Sequence, residues 1–63
     1  MATKMTLAAA RVNKGLTIEE LARDTGLSKP TIINYEKGKV SPKWENLKKI
    51  IVRLNVSIDD LDL

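Results

Sequence analysis

The chain has 63 residues, 43 % of them apolar, enough for one small core and a single domain over 1–63. It has no cysteine and no histidine, which removes disulfides, thiolate or imidazole catalysis and the usual zinc ligands; no cofactor is expected. The net charge is +3, the longest apolar run (Leu7-Ala8-Ala9-Ala10) is far too short to span a bilayer, and Met1-Ala2-Thr3-Lys4 lacks the apolar stretch of a secretory signal. The expectation is a cytoplasmic protein that is no enzyme, with no membrane partner and no small-molecule substrate.

The apolar spacing is helical from end to end. Leu7, Ala8 and Val12 define a first helix, which Gly15 ends. Thr17-Ile18-Glu19-Glu20 has the pattern of a capping box, in which the hydroxyl and the carboxylate each satisfy an orphan amide. Leu21 and Ala22 are the buried stripe of the second helix, and Gly26 closes it. A third helix starts near Ser28, turns Ile32, Tyr35 and Glu36 to one side and stops at Gly38. Ser28 is its candidate cap; the restriction that Pro30 places on Lys29 offers a second start, at Pro30 with Lys29 as cap.

Ser41-Pro42 reads as a cap followed by proline at the first position of a fourth helix. Trp44, Leu47, Ile50, Ile51 and Leu54 then form the clearest amphipathic stripe of the chain. Ser57-Ile58-Asp59-Asp60-Leu61 reads as a last short helical turn, capped by serine with two aspartates at the positive end of the dipole. No alternating segment between hairpin turns is present, so the fold class is all-α, a bundle of about five short helices.

Charge is distributed unevenly along these elements. Residues 1–28 sum to +1, while residues 29–53 hold Lys29, Lys37, Lys39, Lys43, Lys48, Lys49 and Arg53 against Glu36 and Glu45, a sum of +5. The tail 54–63 carries Asp59, Asp60 and Asp62 and sums to −3. A basic middle segment is the footprint of a polyanion partner, or of a lysine-rich solvated face.

The segment from Leu16 to Lys39, with Leu21-Ala22 four residues before Gly26 and then Ile32 and Tyr35-Glu36-Lys37-Gly38, resembles the helix-turn-helix of the Cro and phage-repressor family. The resemblance runs from about residue 5 to 61, with the motif itself over 17–38. It implies a lambda-repressor-like fold and a sequence-specific double-stranded DNA-binding transcriptional regulator, acting as a homodimer on a two-fold operator. The length suits a whole Cro-like protein and equally the reading domain of a longer repressor.

In that family the second helix of the motif lies in the major groove, which here makes 28–38 the reader. Lys29, Pro30, Thr31 and Asn34 are then the base-reading candidates: lysine suits guanine O6 and N7, asparagine the N6/N7 edge of adenine, and proline a thymine methyl. Phosphate contacts fall to Thr17 and Ile18 through the amides of their helix start, to Ser28, and to Lys37, Lys39 and Lys43 around the following loop. Lys48, Lys49 and Arg53 are assigned to the solvent face of the fourth helix. The resemblance also pairs Arg11 with Glu36, linking the first helix to the end of the reader.

Three positions depart from the family pattern. Ile18 stands where a phosphate-gripping glutamine is common, Pro30 has no amide, and Ile33 is aliphatic where an outward polar residue is common. These bear on which operator is read. The two aromatics, Tyr35 and Trp44, are expected in the core, and so few disfavour single-strand or RNA binding. The alternative function is a helical protein-interaction module of the same fold, antitoxin-like or polymerase-binding, with its basic face incidental.

Overall fold

The computed structural model describes residues 4–62. Four α-helices follow one another: α1 (Leu7–Asn13), α2 (Ile18–Thr25), α3 (Lys29–Glu36) and α4 (Trp44–Leu54). The fifth expected helix is a single 3-10 turn, Ile58–Asp60, in which the Asp60 carboxylate accepts from the Ser57 amide at 3.2 Å. Among the described residues no strand forms. One isolated parallel bridge joins Met5 to Leu61, and so ties the two ends of the chain together.

Leu7, Ala10, Leu21, Ala22, Ile32, Leu47, Ile50, Leu54 and Leu61 form the buried core, with Leu16, Ile18, Leu27, Tyr35, Ile51 and Val56 packed around it. Every helix contributes to it. α2 lies against both α3 and α4, and α1 lies against α3. Ala22 is buried at 8 % exposure, and its small side chain lets α2 approach its neighbours closely.

Local chemistry sets the ends of the helices. Thr17 Oγ1 accepts from the Glu20 amide at 3.1 Å, and the Glu20 carboxylate accepts from the Thr17 amide at 3.0 Å, completing the capping box. The Thr17 amide, and after it the Thr17 side chain, hold the Glu20 carboxyl below its ordinary range by hydrogen bonding. At the end of α3, the Lys39 amide donates to Asn34 O at 3.0 Å and the Gly38 amide to Tyr35 O at 3.2 Å. This pair of bonds is a Schellman closure, and it needs the left-handed φ of +73° that Gly38 adopts. α4 ends in the same way on Asn55, at φ +56°.

Four expectations are corrected. α3 begins at Lys29 with Ser28 as its cap and Pro30 inside the first turn, so Lys29 is no cap. α4 begins at Trp44 with Lys43 at the cap position and no side-chain cap bond, two residues beyond the expected Ser41-Pro42 start. Pro42 instead lies on the loop before α4, where it lines a hollow together with Leu7 and Tyr35. Val12 is 61 % exposed: five residues from Leu7 is a rotation of about 140° around a helix, and Ala10 takes the inward place. Trp44 is 59 % exposed instead of being in the core. It opens α4 about 13 Å along the axis from Arg53, where α4 is fastened to α2.

Candidate nucleic-acid interface

α2 and α3 are joined by Gly26-Leu27-Ser28, and this turn is braced from inside. Buried Thr25 donates its hydroxyl to Leu21 O at 2.7 Å, and its oxygen accepts from the Leu27 amide at 3.3 Å. Gly26 supplies the left-handed φ of +75° between the two helices. Ser28 Oγ accepts from the Thr31 amide at 3.3 Å and lies 2.7 Å from Thr31 Oγ1, so both hydroxyls are engaged at the start of α3.

α3 is anchored on one side by Ile32, which is fully buried. At 100° per residue, Pro30, Asn34 and Lys37 (i, i+4, i+7) all lie on the opposite side, about 140–160° from Ile32. Pro30 and Lys37 are exposed and Asn34 is half-buried; Thr31 and Ile33 flank them, both half-buried. Lys29 lies closer to the α2 side. Its ammonium is 3.0 Å from the Glu19 carboxylate on the first turn of α2, and both side chains are exposed.

Beyond α3, Lys39 and Lys43 are exposed on the loop into α4. The Schellman closure fixes Lys37 and Lys39 on either side of Gly38, next to the end of the outward row. Thr17 is exposed and Ile18 half-buried at the start of α2; the Thr17 amide and hydroxyl oxygen are both bonded to Glu20 in the capping box. Lys48 and Lys49 are exposed on α4. Arg53 is half-buried instead, its Nε 2.6 Å from the Asp24 carboxylate.

Polar contacts hold α3 at its far end. Arg11 meets Glu36 in a two-pronged pair, Nε to Oε2 at 2.7 Å and Nη2 to Oε1 at 3.2 Å. The two side chains are only 13 % and 9 % exposed. The Glu36 carboxylate pushes the Arg11 pKa further above its ordinary value, against the opposing effect of burial. Arg11 Nη1 also donates to Leu16 O at 2.7 Å, so one guanidinium joins α1, the loop into α2 and the end of α3. On the other side, Asn46 Nδ2 donates to Tyr35 Oη at 2.9 Å, tying α3 to the first turn of α4.

Sequence reasoning did not single out Thr25, Asn46, Glu19 or the Asp24–Arg53 pair. A threonine one residue before the glycine of a helical turn, with a backbone carbonyl four residues back, was the available signal for Thr25. The other three depend on which helix faces lie together. No group of histidine, cysteine and carboxylates suited to a metal ion occurs among the described residues, and no described helix is long and apolar enough to cross a membrane.

The arrangement is therefore two short helices held at a fixed turn, with a firmly braced second helix whose outward row is flanked by lysines. Known proteins resemble the chain in sequence. The family model described as helix-turn-helix matches residues 7–61. An uncharacterised helix-turn-helix-type transcriptional regulator from Archaeoglobus fulgidus is 41 % identical over 51 residues, covering 81 % of this chain and 73 % of its own. The cryptic phage CTXphi transcriptional repressor RstR of Vibrio cholerae is 41 % identical over 51 residues, and the match spans 46 % of its length. A regulator of the same type from Methanocaldococcus jannaschii is likewise 41 % identical over 51 residues, covering 77 % of that protein. No solved structure matches. With its motif, its turn and nearly its whole length accounted for by that pattern, the chain belongs to the helix-turn-helix family.

Proposed function

We propose that this protein is a sequence-specific double-stranded DNA-binding transcriptional regulator that places α3 in the major groove. The observation that carries the reading is the outward row Pro30, Asn34 and Lys37, on a helix held by Ile32 and the Arg11–Glu36 pair and followed by Lys39 and Lys43. A helix meant to read base edges must present a fixed face, because hydrogen bonds to bases tolerate little misplacement. The regulator and repressor names of the relatives support the same reading.

In this account Asn34 and Lys29 are the principal base readers, Asn34 toward adenine and Lys29 toward guanine. Pro30 offers an apolar surface to a thymine methyl, and Thr31 a hydroxyl near the groove floor. Lys37, Lys39 and Lys43 hold the phosphate backbone on one side of the reader. Thr17, Ile18 and Ser28 meet it on the other, through the hydroxyls and the amides at the starts of α2 and α3.

The protein acts as a symmetric dimer, since one eight-residue reader covers too few base pairs for useful specificity. Its dimer contact lies at the C-terminal end, where Ile58 is exposed and Val56 half-buried. Of the apolar residues of that end, Val56, Ile58, Leu61 and Leu63, Leu61 is buried in the core and is not available, and Leu63 lies outside the described residues.

Selection of bound sites from a pool of random duplex DNA tests the proposal. A two-fold consensus is the expected result. Failure to enrich any sequence, with retention of the fold, would favour the protein-interaction reading.

A further inference from the structure

Lys29 is the one charged residue among the base-reading candidates, and it already has an ionic partner. Its ammonium lies 3.0 Å from Glu19, with the two side chains 51 % and 65 % exposed. An ion pair this open to water contributes little to the stability of the fold, and it is broken easily. Its position is what matters: Glu19 is in the first turn of α2 and Lys29 in the first turn of α3, at the two helix starts that the DNA reading turns toward the duplex. A carboxylate there is unfavourable beside phosphates. The first turn of α3 holds no acidic side chain of its own, so the carboxylate that meets Lys29 comes from α2.

Resting on that reading, we infer that Glu19 is a specificity-determining residue that holds Lys29 as an exchangeable internal partner. On arbitrary duplex, Lys29 stays paired with Glu19 and releases no counterion. Non-specific binding thereby loses one ionic contact. On a site that presents guanine to Lys29, the O6 and N7 acceptors replace the carboxylate and offset the loss. Glu19 therefore lowers affinity for wrong sequences more than for the right one, and it acts by positioning Lys29.

The test is fluorescence anisotropy of a labelled random-sequence duplex titrated between about 50 and 200 mM salt, the range in which counterion release is read. Wild type, Glu19→Gln, Lys29→Ala and the double variant are compared. Glu19→Gln is expected to tighten binding by up to about eightfold at 0.1 M salt and to steepen the log–log salt slope by about one. On the Lys29→Ala background the steepening is expected to vanish, which a general change in charge would not produce. An unchanged slope in Glu19→Gln, or an equal steepening with and without Lys29, overturns the inference while leaving the DNA reading standing. Wild-type protein that binds no duplex at low salt overturns both.

Discussion

The Arg11 guanidinium and the Glu36 carboxylate meet at 2.7 and 3.2 Å, across 25 residues of sequence and with almost no exposure to water. Through this contact the first helix grips the last turn of α3, while a further N–H of the same group holds Leu16 O at 2.7 Å. Neither residue stands in the outward row, so the contact bears on the proposed DNA reading only by keeping α3 in place.

The pair should therefore be visible in stability. Glu36→Ala leaves a guanidinium without its partner in a largely buried place and is expected to destabilise by about 3 kcal/mol in urea titration. A double-mutant cycle of Arg11→Ala and Glu36→Ala should give a coupling of about 0.5–3 kcal/mol. Additive effects would mean that the two side chains act independently in solution.

Acid sensitivity should come in part from Asp24. Arg53, and after it Arg23, hold its carboxyl below the ordinary value of 3.8 by hydrogen bonding. In the window between the lowered folded value and 3.8 the unfolded chain binds more protons than the folded one. This contribution to stability is thus present above pH 4 and lost as pH falls through the folded value. Thermal melts from pH 6 to pH 2 are expected to show a shallower acid limb for Asp24→Asn than for wild type. Parallel acid limbs would contradict the pairing with Arg53.

Gly38 offers a test of backbone geometry alone. Its φ is +73°, and a Cβ built there meets nothing within 4 Å. Gly38→Ala should then cost about 1–2 kcal/mol from the left-handed conformation and nothing from crowding. Urea unfolding checks this, and a neutral substitution would mean that α3 does not end in the Schellman closure.

Much of this architecture was legible in the sequence because it is local. The Thr17–Glu20 capping box, the glycine after α2, the Ser28 cap and the Leu47, Ile50 and Leu54 stripe all follow from spacings of three or four residues. Trp44 is exposed because, at 100° per residue, it lies about 120° round the helix from the fully buried Ile50, at the edge of the stripe. The Ser41-Pro42 signal is local as well, yet Pro42 stays in the loop and α4 starts two residues later, at Trp44. Within the candidate interface, spacing places Asn34 opposite Ile32. The Glu19–Lys29 contact depends on how closely the starts of α2 and α3 approach, which no spacing in a single helix encodes.

Dimeric docking makes a geometric prediction. Hydroxyl-radical footprints on a selected site should show two protected half-sites about 34 Å apart, one turn of the duplex. An Ile58→Asp variant is expected to lose the paired footprint while keeping the fold, because Ile58 is exposed in the free chain. A single half-site at saturating protein would argue against the dimer.

The central claim is that α3 reads bases while the loop after it only holds the backbone, and the most direct test compares Asn34→Ala with Lys39→Ala on a selected site and on scrambled duplex of equal length. Asn34→Ala is predicted to lose about 1–3 kcal/mol on the selected site and to leave scrambled duplex nearly unchanged. Lys39→Ala is predicted to weaken both duplexes alike and to lower the magnitude of the salt slope by about one. Equal losses on the two duplexes for Asn34→Ala would contradict the claim that the outward face of α3 reads sequence.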